Sequence, residues 1–70
     1  MNVDAVIEMV ASEMRKLGSQ RALAKSIGTE EATLSRIRSG KQDPTTVVLE
    51  YFGLERVTEY EYKRVGVENE

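Results

Sequence analysis

Seventy residues suffice for one domain, and a domain of this size buries only about 60% of the surface that its unfolded chain exposes. The sequence contains neither cysteine nor histidine, which excludes disulfides and ordinary zinc sites as stabilisers and leaves tight helix packing or a partner chain. The net charge of −2 argues against a uniformly basic nucleic-acid-binding surface.

The charge is unevenly placed, however. Residues 15–41 hold Arg15, Lys16, Arg21, Lys25, Arg36, Arg38 and Lys41 against Glu30 and Glu31, a local charge of +5. Residues 1–14 and 50–70 each carry −3, and Asp43 adds one more negative charge. A phosphate backbone responds to the local patch as well as to the total. No apolar run approaches the roughly 20 residues of a membrane span. The opening Met1-Asn2-Val3-Asp4 is acidic and lacks a signal-peptide pattern. The absence of cysteine fits a reducing cytosol.

In chain order, the apolar residues Val3, Val6, Ile7, Val10, Met14 and Leu17 recur at spacings of three and four, marking one face of a first helix. Asn2 is placed to cap it, Asp4 to complement its dipole and Gly18 to end it. Ser19 caps a second helix, Gln20 to Ser26, with Leu23, Ala24 and Ile27 inward and Gly28 as its terminator. Thr29 or Glu30 caps a third, which runs through Leu34 and Ile37 to about Ser39 before Gly40. The link between the second and third helices is so short that they must cross steeply. Asp43-Pro44 reads as an acidic cap followed by a first-turn proline, opening a short helix that carries Val47, Val48, Tyr51 and Phe52 and closes at Gly53. The segment from Arg56 to Val65 is rich in β-branched and aromatic residues and reads as a strand, with a helix as the competing reading.

Residues 20–39 combine a small Ala24 at a close helix approach, Gly28 at a sharp turn, and a third helix that is polar outside its apolar stripe. A helix-turn-helix has these needs, because its second helix must be anchored on one side and readable on the other. The ordered set Ser19-Gln20, Leu23-Ala24, Ile27-Gly28, Ala32-Thr33-Leu34-Ser35-Arg36-Ile37, Ser39-Gly40-Lys41 and Asp43-Pro44 resembles the lambda-repressor-like family of Cro- and Xre-type regulators. The resemblance covers about residues 3–54. It implies a mainly α fold: a four-helix helix-turn-helix DNA-binding domain over 1–54, with its reading unit at 20–39. To this the sequence adds a C-terminal β-strand at 55–66 and a frayed end at 67–70.

The resemblance also implies roles. Gln20 would contact a phosphate and brace the third helix. Glu31, Ala32 and Arg36 occupy positions that reach base edges, Thr33 lies beside them, and Lys41 and Gln42 would grip the backbone or a base at the edge of the site. Side-chain chemistry agrees at three positions: Arg36 can donate to guanine O6 and N7, Ala32 can pack on a thymine methyl, and Glu31 can accept from cytosine N4. Glu31 also reads as a plain acid at a helix N-terminus, and Arg15, Lys16 and Lys25 read as solvated charges. Many members pair an acid at the position of Arg38 with an arginine in the first helix, where this chain has Glu13. The swap predicts a structural Glu13–Arg38 ion pair.

A lone strand leaves backbone groups unpaired, and a second copy across a two-fold axis would satisfy them. Centring that ribbon on Glu61 sets Val57 against Val65, Thr58 against Arg64, Glu59 against Lys63 and Tyr60 against Tyr62, all favourable in type. The dimerisation residues expected are thus Val57, Glu59, Tyr60, Glu61, Tyr62, Lys63 and Val65. The expected protein is a homodimeric, Cro-like repressor of a phage or prophage, acting on double-stranded DNA at a pseudo-palindromic operator in the bacterial cytosol, at the nucleoid. Two other readings stand beside it: an antitoxin that binds DNA and a toxin protein, and a protein-interaction module without DNA binding. No enzyme, cofactor, metal, membrane or small-molecule ligand is expected: there is no histidine, cysteine or phosphate-cradling glycine loop.

Overall fold

The first helix, α1 (Val3–Leu17), begins where the Asn2 side chain accepts the Ala5 N–H at 2.9 Å, and it ends at Gly18. Asp4 in its first turn and Arg15 and Lys16 in its last match the helix dipole. In this computed structural model, which describes residues 1–65, three more helices follow, α2 (Gln20–Ile27), α3 (Glu31–Arg38) and α4 (Thr46–Tyr51), and then two strands, β1 (Leu54–Thr58) and β2 (Glu61–Arg64). The protein is therefore mainly helical with a small two-stranded antiparallel sheet. Among the described residues no helix is long and apolar enough to cross a membrane.

The apolar spacing in the sequence becomes two joined clusters. Val10, Leu23, Ala24, Leu34, Ile37 and Val48 form one, flanked by Ile7, Met14, Ile27 and Phe52. Val6, Leu49, Leu54 and Tyr62 form the other, flanked by Val3, Met9 and Phe52. Phe52 packs against both. Burying one such aliphatic side chain contributes about 1.5–3 kcal/mol, so Leu34 and Ile37 alone anchor one side of α3 firmly. Leu17 remains 40% exposed at the end of its helix.

Ser19 caps α2 by accepting the Ala22 N–H at 3.0 Å. At the other end Gly28 takes φ 87°, a conformation that favours glycine. The N–H groups of Gly28 and Thr29 both reach the Ala24 carbonyl, at 2.9 and 3.0 Å, and α3 starts after Glu30. Glu30 occupies the cap position of α3 without a side-chain cap bond.

The structure corrects the expected start of the fourth helix. Thr45 is its cap, accepting the Val48 N–H at 3.3 Å, and Pro44 lies before the helix. The Asp43 carboxylate is turned away toward Arg56, at 3.8 Å. The side chains that α4 buries are Val48 and Leu49, while Val47 and Tyr51 stay partly in solvent.

The C-terminal segment differs more. The single expected strand is a hairpin, with Leu54 opposite Arg64, Glu55 opposite Lys63, Arg56 opposite Tyr62 and Thr58 opposite Glu61, and an irregularity between Arg56 and Thr58. The Thr58 hydroxyl accepts the Tyr60 N–H at 3.3 Å across the turn. The other edge of β2 meets the chain start: the Met1 amino group donates to the Tyr62 carbonyl at 2.6 Å, and the Tyr62 N–H donates to the Met1 carbonyl at 2.7 Å. Both edges of β2 at Tyr62 are thus occupied within one chain, and the ribbon centred on Glu61 is not needed to satisfy them. The expected frayed end at 67–70 lies outside the described residues.

Candidate functional site

Helical spacing places Ala32, Ser35 and Arg36 on the side of α3 opposite Leu34 and Ile37, with Glu31 and Thr33 toward its flanks. Glu31, Ala32, Ser35 and Arg36 are exposed and Thr33 is half-buried. The helix is thus fixed by its apolar side and presents a small, polar and cationic surface on the other.

Polar contacts hold α3 on both flanks. On one flank stands Gln20, the first residue of α2. Its Nε2 donates to the Glu31 carbonyl at 3.3 Å and its Oε1 accepts from Arg38 at 3.4 Å. On the other flank Arg36 Nε donates to Gln42 Oε1 at 2.7 Å, and Arg36 Nη2 lies 3.4 Å from Thr33 Oγ1. The second set depends on how α3 ends. Gly40 at φ 80° allows its N–H to reach the Ile37 carbonyl at 3.2 Å and the Lys41 N–H to reach the Arg36 carbonyl at 2.9 Å, the paired bonds of a Schellman-type terminus. The chain is thereby turned back over the end of α3. Gln42 meets the Arg36 side chain there, and Lys41 stands exposed beside it.

Gln20, Glu31, Ala32, Thr33, Arg36, Lys41 and Gln42 therefore gather on α3 and its two flanks. Ser35, to which the resemblance gives no role, joins them. Its signal was its spacing, three residues after Ala32 on the same exposed side. The arrangement offers N–H donors from Arg36, Lys41 and Gln42, with acceptors from Glu31 and Thr33, along an exposed helix.

The predicted Glu13–Arg38 ion pair is not present among the described residues. Glu13 accepts the Tyr51 hydroxyl at 2.9 Å and faces Lys16 at 3.9 Å, one turn along its own helix. Arg38 is engaged instead by Gln20. The hydrogen bond to Glu13 raises the Tyr51 pKa above its ordinary value of 10.0, with smaller contributions from desolvation and the carboxylate charge.

The residues expected to form a dimer contact divide. Tyr62 is 1% exposed and belongs to the core, with the Arg56 guanidinium 5.8 Å from its ring centroid. Lys63 pairs with Glu55 within the hairpin at 3.2 Å. Val57, Tyr60 and Val65 are 52%, 69% and 56% exposed, and Glu59 and Glu61 also face solvent. The hairpin packs on α1 and α4 rather than on α3. An open groove of about 630 Å³ lies between the 42–46 segment, α4 and β1, with Pro44, Leu49, Leu54, Arg56 and Val65 in its lining. Among the described residues no group of three or more carboxylates could hold a metal ion.

Compared with protein-family models, curated proteins and solved structures, the chain matches none.

Proposed function

We propose that the chain is a sequence-specific DNA-binding regulator, in which α2 and α3 form a helix-turn-helix and α3 lies in the major groove. The observation that supports this best is the two-sided build of α3. Leu34 and Ile37 anchor it, Gln20 and Gln42 hold its flanks, and Ala32, Ser35 and the remaining N–H groups of Arg36 are exposed to face base edges. An exposed helix this well fixed loses little freedom on binding, which favours recognition. Gln20 and Lys41 would meet phosphates, while Glu31, Ala32, Thr33 and Arg36 would meet bases.

In this reading the protein is a Cro-like repressor of the phage or prophage type, acting as a homodimer. Two copies would set their α3 helices about 34 Å apart on a pseudo-palindromic site, and occupancy near a promoter would block polymerase. The exposed Val57, Tyr60 and Val65 of the hairpin support a protein contact there, and the reading assigns that contact to the second copy. Sedimentation across a concentration series tests it: a monomer mass at every concentration, with and without DNA, removes the dimer.

Binding to duplex DNA at several salt concentrations tests the central reading. Roughly two to four ionic phosphate contacts per protomer, four to eight per dimer, give a log–log slope of about −4 to −7. Absence of binding at low salt would overturn the proposal.

A further inference from the structure

We infer, resting on the DNA-binding reading of α3, that Gln42 is a positioning residue that commits Arg36 to a guanine in one donor geometry. In that reading Gln42 acts through Arg36 and reads no base of its own.

Arg36 is tied to the loop at both of its ends. Its carbonyl accepts the Lys41 N–H at 2.9 Å, and its Nε donates to Gln42 Oε1 at 2.7 Å. The second bond is the shortest side-chain contact of the site and joins an exposed cation to a half-buried amide. Thr33 Oγ1, one turn earlier on the helix, lies 3.4 Å from Nη2. An arginine side chain at an exposed helix position ordinarily samples many rotamers; this one is braced from two directions.

The brace also selects chemistry. A guanidinium has five N–H groups in a planar fork. It can meet a two-acceptor edge either side-on, through Nε and one terminal nitrogen, or end-on, through the two terminal nitrogens. With Nε–H committed to Gln42, the side-on mode is closed. The end-on pair remains: Nη1 makes no bond among the described residues, and Nη2 keeps a second N–H beside the one turned to Thr33. Guanine is the base that presents two adjacent acceptors, O6 and N7, in the major groove. Adenine presents a donor beside its acceptor and would meet the fork with a like group. The Gln42 amide nitrogen makes no bond to the described residues, so it retains two donors for an adjacent phosphate oxygen.

Gln42→Ala should therefore weaken a preference that belongs to Arg36. Ordering a free arginine at an interface costs about 2- to 12-fold in affinity, so the guanine preference at one position should fall by about that factor. Gln42→Glu keeps an acceptor for Nε and loses the outward donors. It should keep the guanine preference while weakening binding to all sequences.

The test selects bound duplexes from a random pool with the full chain and with its Arg36→Ala, Gln42→Ala, Gln42→Glu and double Arg36→Ala/Gln42→Ala variants, each checked for an unchanged melting curve. The expected result is one guanine position in each half-site that Arg36→Ala abolishes, Gln42→Ala weakens about 2- to 12-fold and Gln42→Glu retains, with the double variant no worse there than Arg36→Ala alone. Three results overturn the inference while leaving DNA binding intact: an Arg36-dependent guanine insensitive to Gln42→Ala, a second base position within the half-site relaxed by Gln42→Ala, or no guanine position that depends on Arg36. If the unaltered chain enriches no sequence, the DNA-binding reading fails and the inference falls with it.

Discussion

Replacing Tyr62 by phenylalanine should stabilise the protein, although it deletes a polar group from the centre of the second core cluster. Tyr62 is 1% exposed, and its hydroxyl finds no hydrogen-bond partner among the described residues. A buried hydroxyl without a partner costs about 1–3 kcal/mol in proteins. The substitution retains the ring, its packing on Val6, Leu49 and Leu54, and the Arg56 guanidinium over its face. The void left by one oxygen offsets part of the gain, by about 0.8 kcal/mol if it resembles a missing methylene. The net expectation is a stabilisation of about 1 kcal/mol, which raises the melting temperature of a domain this small by about 4–8 °C. Thermal melts followed by far-ultraviolet circular dichroism, repeated at two protein concentrations, measure it. A fall in melting temperature would refute the reasoning, because it would mean that the hydroxyl has a partner. Tyr62→Ala provides the contrast: it empties the same site and should cost about 3–5 kcal/mol, as large aromatic deletions do.

Three further outcomes follow from particular contacts. Thr45→Ala should cost about 1 kcal/mol by removing the α4 cap, whereas Asp43→Ala should cost less, because it removes only an exposed ion pair with Arg56; urea unfolding separates the two, and the opposite order would return the cap to Asp43. Tyr51 should titrate above 10.0 because its hydroxyl donates to Glu13, and Glu13→Gln should lower that value in an ultraviolet absorbance titration. Since the folded-state pKa is raised, whatever stability the bond contributes is complete below the ordinary tyrosine value and is lost as pH rises through the folded-state value. Lys41→Ala should weaken binding to all DNA sequences alike and make the log–log salt slope of the dimer shallower by about two, one for each protomer; a change confined to one base position would instead make Lys41 a base reader.

The helical part of the fold was legible because its signals are local. Asn2, Ser19, Gly18, Gly28 and Gly40 each act on the neighbouring turn, and the spacing of Val6, Val10, Leu23, Leu34 and Ile37 marks the buried faces directly. Asp43-Pro44 misled because an acidic residue before proline makes a good cap in isolation, yet in the structure that carboxylate faces Arg56, thirteen residues on, and Thr45 caps the helix. The hairpin was hidden for a different reason. Its turn at Glu59-Tyr60 contains no glycine, proline or asparagine, so the β-rich run reads as one strand. The turn is made by a Thr58 hydroxyl and a local irregularity in register, and Tyr62 is fixed by pairing with Met1, sixty-one residues away.

At the site, residue types and faces could be read from helical spacing, but partners could not. Glu13 and Arg38 have opposite charges and looked complementary, yet each has a partner that spacing alone does not disclose, Tyr51 in one case and Gln20 in the other. The contact between Arg36 and Gln42 likewise depends on the turn at Gly40, which sets where residue 42 falls over the helix end.

The most direct test of α3 as a DNA-reading helix is a set of amide NMR spectra recorded while a duplex selected for binding is added. The expected shifts concentrate at Gln20, Glu31 to Arg36, Lys41 and Gln42, with Glu55 and Lys63, paired with each other in the hairpin, moving little. Shifts confined to the hairpin and the groove beside α4, with α3 unmoved at saturating DNA, would contradict it.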